Sequence, residues 1–207
     1  MAIERYFSRF LSYVLHPLLM PFYAVLILFN LNTYLAFSTT IQLQHLVLLI
    51  VFITTLAFPL LSTLLLLKNG TIQSLEMETA RERRSPFLFA AVCYLICYYL
   101  LYKLPVSRLL GTMVLAAALT LFISLVLSFR YKVSIHMIGI GGLSGVLFGI
   151  GQVLQADVMT PLLICILVAG FLGTARLLLN AHSPGQIYSG FLIGFVTEWL
   201  MVTGSIL

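Results

Sequence analysis

Between Tyr13 and the end of this chain, apolar runs of close to twenty residues follow one another, separated only by short polar clusters. That pattern restricts the fold more than any other feature of the sequence. In hydrocarbon every backbone N–H and C=O must be satisfied within the protein, which leaves helices or closed barrels. Unbroken apolar runs exclude the alternating pattern of a barrel strand, and their length suits helices that need roughly 20 residues to cross a bilayer. Of the 207 residues, 61% are hydrophobic and 8% are charged, a balance foreign to a water-soluble domain of this size. The expected fold is all-α: a multi-pass transmembrane bundle of six or seven helices, forming a single integral membrane domain over residues 1–207. The first residues, Met1 to Leu11, are amphipathic, and no small-residue cleavage site follows the first apolar run, so no cleavable signal peptide is expected. Cys93, Cys97 and Cys165 all fall within apolar segments and read as packing residues.

Seven helices are expected, at about 13–31, 46–67, 87–102, 109–129, 135–154, 161–179 and 186–206. With six helices instead, the first segment, which holds His16 and Pro17, would lie partly in the membrane interface. The polar breaks at 76–86, 130–136 and 176–186 are each separated by two helices. An even number of crossings returns the chain to the same side, so all three clusters face one membrane surface and can converge on one site. Gly141, Gly145 and Gly149, with Gly190 and Gly194, recur every fourth residue and mark close helix packing in lipid.

The chemistry sits in those breaks. The last contains Arg176, His182 and Gln186, and the middle one contains Lys132, Ser134 and His136. A guanidinium matches the geometry of phosphate oxygens, an imidazole can attack phosphorus, and a polar side chain four residues beyond the imidazole can fix its tautomer. The net charge of +5 suits an anionic lipid or phosphate ligand, and no exposed domain is present to carry a nucleic-acid face.

Read in order, the three clusters resemble the signature of the type 2 phosphatidic acid phosphatase superfamily of membrane lipid phosphatases and phosphotransferases: K-x6-R-P, P-S-G-H and S-R-x5-H-x3-D. The third motif is matched by Ala175-Arg176, five residues, His182, three residues and Gln186. The second is matched by Val133-Ser134-Ile135-His136, and the first by Met77 through Arg84-Ser85-Pro86. The resemblance covers about 76–207. It implies a metal-independent, cofactor-free hydrolase in which His182 attacks phosphorus to form a phosphohistidine. His136 then protonates the leaving group and later activates water. Arg84, Arg176 and Ser134 would bind phosphoryl oxygens, and Gln186 would support His182. It also implies a lipid phosphate or polyprenyl diphosphate substrate, and a bacterial inner (cytoplasmic) membrane with the site on its outer side. Three departures stand out. Met77 occupies the place of the motif Lys, with Lys132, Arg81 or Arg83 as replacements. The second motif lacks its Pro and Gly. Gln186 replaces the Asp, so it can accept the imidazole N–H but brings no negative charge to an imidazolium.

The other polar residues have simpler readings. His16 and His45 are expected to be interfacial or hydrogen-bonded residues away from substrate. Arg81, Arg83 and Arg84 read either as a headgroup anchor or, for Arg84 above all, as part of the site. Tyr94, Tyr98, Tyr99 and Tyr102 read as belt or packing residues. Glu198 is either a functional intramembrane carboxylate or a solvated group beside Trp199 at the far interface. The basic residues of the site face, from Arg5 and Arg9 to Arg176, outnumber Lys103 and Arg108 opposite and point that face to the cytoplasm. The resemblance points it outward. Two other functions share the sequence: transfer of the phosphoryl group to an alcohol rather than water, and lipid binding or transport without catalysis.

Overall fold

The computed structural model describes residues 2–75, 77 and 79–205, with no side-chain description at 2, 3, 80 and 81. Seven helices among the described residues are long and apolar enough to span a membrane, so the protein is an integral, multi-pass helical bundle. The first span begins with α1 (Ala2–Val14), breaks at His16, and continues through a 3-10 turn at Pro17–Leu19 into α2 (Met20–Asn30). Pro17 supplies no N–H to continue α1, and the His16 ring caps the new turn by accepting from the Leu18 N–H at 3.3 Å. α1 is amphipathic as expected: Tyr6, Phe7, Phe10 and Tyr13 face outward, whereas Ser8 and Ser12 are buried against the bundle.

A short α3 (Tyr34–Ser38) leads to the second span, which starts five residues earlier than the apolar run indicates. Thr40 caps α4 (Ile41–Val51), accepting from the Leu43 N–H, so polar residues enter its first turn. A π-helical turn at Phe52–Ala57 precedes α5 (Phe58–Lys68). Pro59 cannot donate to the preceding turn, and the Phe58 N–H reaches back five residues to Ile53 O.

α6 (Ala80–Lys103) also begins before its expected start at 87. Thr79 and Glu82 form a reciprocal capping box, which starts the helix within the polar cluster and carries it through Pro86. Glu76 of that cluster lies outside the described residues. α7 (Arg108–Ser128), α8 (Ile135–Leu154), α9 (Met159–Leu178) and α10 (Pro184–Gly204) match the expected spans within two residues. Tyr94 is buried, while Tyr99 and Tyr102 lie under the cations of Lys103 and Arg108.

α8 is the axis of the bundle: 67% of its span is buried, against 28–50% for the others. It runs parallel to α10 in backbone contact. A methyl group on Gly141 would strike the Phe191 carbonyl, one on Gly145 the Phe195 carbonyl, and one on Gly194 the Ile138 carbonyl. No residue but glycine fits there, so the spacing read from the sequence is a real seam. The seam fixes the starts of both helices side by side, and the Ser134 N–H donates to Gln186 O at 3.2 Å.

A candidate phosphoryl site at three helix starts

α6, α8 and α10 all begin at one end of the bundle, while α9 ends there with Arg176 in its last turn. Helix starts carry unpaired N–H groups and the positive end of the helix dipole, so this end favours an anion before any side chain is counted. The chain leaves α9 through Asn180, in the left-handed region at φ 52°, and turns into Ser183, the cap of α10. His182 lies in this turn.

Its environment fixes its chemistry. Gln186 Oε1 lies 3.1 Å from the Ser183 N–H and 3.1 Å from His182 Nδ1. A backbone N–H can only donate, so the atom facing it must be the amide oxygen. That oxygen then accepts from His182, and the proton of the neutral imidazole sits on Nδ1. The lone pair is left on Nε2. The His182 pKa is lowered to about 4, chiefly by burial; the Gln186 hydrogen bond raises it, and the cations of Arg176, Lys132 and Arg83 lower it. The ring is therefore neutral across the physiological range.

His136, in the first turn of α8, lies across from it. Its Nε2 is 3.2 Å from the Ser12 carbonyl. A carbonyl only accepts, so Nε2 bears the proton and Nδ1 is the atom that can take up or release another. Ser12 also accepts from Arg176 Nη1 through its hydroxyl, at 3.3 Å. One residue of α1 thus holds both the second histidine and the basic residue of the last cluster. His16 meets His136 edge-on, with ring centroids 5.7 Å apart. Ser134 is fully buried, and its Oγ has no hydrogen-bond partner among the described residues.

The convergence expected from the sequence is present, with a change of residues. Arg83, not Arg84, is the buried arginine of the first cluster: it is 4% exposed, its Nε donates to Met77 O at 2.9 Å, and its charge acts on His182. Arg84 is exposed and stacks over Phe129 at 4.5 Å. The helical register decides this, because adjacent positions are rotated by about 100°. Arg81's side chain lies outside the described residues. Lys132 is half-buried within electrostatic reach of His182. His45 is exposed on α4, as expected, but His16 belongs to the site's wall. Ser12 was not among the expected residues. Its only trace in the sequence is the Ser8–Ser12 spacing on an otherwise aromatic helix. Among the described residues, no three His, Cys, Asp or Glu side chains come together as a metal-ligand set.

In comparisons with protein families, with curated proteins and with solved structures, no match to this chain was found.

Proposed function

We propose that the protein is a membrane-embedded, metal-independent phosphatase that hydrolyses a lipid phosphate or polyprenyl diphosphate through a phosphohistidine. The observation that carries this reading is the tautomer lock on His182 inside a ring of Arg176, Lys132 and Arg83. In the first step the Nε2 lone pair of His182 forms a bond to phosphorus, and the bond from phosphorus to the lipid oxygen breaks. A proton on His136 Nδ1 passes to that oxygen. In the second step water attacks phosphorus, its proton returns to His136 Nδ1, and the N–P bond breaks to release phosphate. The arginines and helix starts offset the charge on the phosphoryl oxygens. The ordered motifs resembling the type 2 phosphatidic acid phosphatases support the same assignment, and with it a place in a bacterial cytoplasmic membrane.

The test is phosphate release by the purified protein, with a chelator present, from phosphatidic acid, phosphatidylglycerophosphate and a polyprenyl diphosphate. Turnover of at least one is expected, with loss in His182→Ala and an acid-labile, alkali-stable phosphoryl-protein during turnover. Full activity in His182→Ala would remove the proposed nucleophile. The neutral Gln186 favours a second reading, a lipid-phosphate binder without turnover. It predicts equal binding by the wild type and a His136→Ala, His182→Ala double variant, and no phosphate release.

A further inference from the structure

Between α2, α6, α7, α8 and α10 the bundle holds a partly enclosed cavity of about 60 Å³. Its walls are mostly apolar, with Met20, Ala24, Met113, Val114 and Leu143 among them. Three polar side chains interrupt them: Glu198 from α10, Thr120 from α7 and Tyr94 from α6. The Thr120 hydroxyl donates to Ala116 O at 2.6 Å, which leaves its oxygen able to accept. The Tyr94 phenol lies within electrostatic reach of Glu198. Glu198 is 5% exposed, and its Oε2 is buried with no hydrogen-bond partner among the described residues.

The expectation of a solvated carboxylate beside Trp199 at the far interface is overturned. Trp199 bonds Gln152 on another face of α10, at 2.8 Å, and Glu198 turns inward against Gly142. A side chain at position 142 would crowd it: a Cβ there would lie 3.3 Å from Glu198 Cγ. Gly142 is six residues below His136, so the carboxyl stands about 9 Å beneath the site along α8. None of the residues lining the cavity is cationic. A buried carboxyl with neither an ion-pair partner nor a hydrogen bond costs free energy, and one at membrane depth is retained where something uses it.

Size and polarity select the occupant. A cavity of about 60 Å³ has room for roughly two to five waters. A buried water needs two to four polar partners, and side chains from three helices supply them here. One carboxyl does not offset the two charges of a divalent cation in a low-dielectric interior. We infer that the cavity is an internal water site, in which a small cluster of waters bonds Glu198 Oε2 and reaches Thr120 and Tyr94. Water donates and accepts at once, so it satisfies a carboxyl in either protonation state and can donate to the Thr120 oxygen. Hydration of this cavity is independent of any turnover at the histidines.

The test is radiolytic hydroxyl labelling of the full-length protein in nanodiscs, read residue by residue by mass spectrometry. Radicals born from bound water oxidise the side chains that touch it, however far those lie from bulk solvent. Met20, Met113 and Tyr94 line the cavity and are all buried. Cys165 on α9 is buried too, is intrinsically more reactive, and does not line it. The three wall residues are nevertheless expected to take up oxygen severalfold faster than Cys165. Glu198→Gln should keep that excess, because an amide still bonds water, and Glu198→Leu should bring the walls down to the Cys165 rate. Wall residues no faster than Cys165 in the parent protein, or an excess that survives Glu198→Leu, would each overturn the water site. So would a melting temperature that is higher in sodium or potassium chloride than in choline chloride and loses that difference in Glu198→Gln, which would assign the cavity to a monovalent cation. If Glu198→Leu fails to fold, the comparison with Cys165 in the parent protein and the salt series still decide.

Discussion

Gln186→Glu tests the tautomer argument most directly. The substitution keeps side-chain length, so a carboxylate oxygen can take the place of Oε1, 3.1 Å from both His182 Nδ1 and the Ser183 N–H. Asp, the residue the motif suggests, is one methylene shorter and falls short of both. Glu also suits the third residue of a capped helix, where a negative charge is favourable. A carboxylate at this distance stabilises an imidazolium by roughly 1–3 pKa units, or about 1.4–4 kcal/mol. If half the positive charge has developed when the N–P bond is forming, the barrier falls by about 0.7–2 kcal/mol. Turnover then rises roughly 3- to 30-fold. The same charge raises the His182 pKa from about 4. Because the free imidazole must be unprotonated to attack, the acid limb of kcat/KM should move to higher pH, by roughly one to three pH units. The assay is phosphate release across pH 3–9 for wild type and variant. Lower turnover at every pH with an unmoved acid limb would refute the reasoning and place Gln186 against the substrate headgroup instead.

The wild type itself should show an acid limb of kcat/KM near pH 4 from His182 rather than near the ordinary imidazole value, because burial and three cations hold the ring neutral; a His182-dependent limb near 6.5 would contradict that environment. Arg83→Gln should reduce kcat/KM by about two powers of ten, in line with the loss of a charged hydrogen-bonding partner, whereas Arg84→Gln should leave it within twofold, as measured on the same substrate. Ser12→Ala removes the hydroxyl that Arg176 donates to but leaves the carbonyl on His136, so KM should change by no more than a fewfold and kcat should hold. Gly145→Ala should lower thermal stability in detergent by about 1–3 kcal/mol or abolish folding, while Gly170→Ala, with nothing within 4 Å of its new carbon, should be silent.

The spans were legible because hydrocarbon imposes one requirement over twenty residues at a time, and a local error hardly alters the sum. Their starts were less so. Thr79 and Glu82 extend α6 through a proline, and Thr40 extends α4 over polar residues, because one capping hydrogen bond outweighs composition in a single turn. The pairing of His182 with Gln186 followed from four-residue spacing within one short segment. The choice between Arg83 and Arg84 did not, since it depends on where α6 begins and so on the cap. Ser12 and His16 were hidden for a different reason: they reach His136 from more than a hundred residues away, along a helix whose exposed aromatic face dominates its sequence.

The glycine seam has a bearing on how the protein meets bilayers of different thickness. Membranes that thin or thicken tilt their helices, at a modest cost for each ångström of mismatch. α8 and α10 touch backbone to backbone at Gly141, Gly145 and Gly194, so they tilt as one body. His136 rides on the first turn of one, and His182 is tied through Gln186 to the first turn of the other. The distance between His182 and His136 is thereby insulated from the lipid. Arg176 and Arg83 arrive on α9 and α6, which share less of that seam. Bilayer thickness should therefore tune how tightly phosphate is held, and leave the chemical step alone.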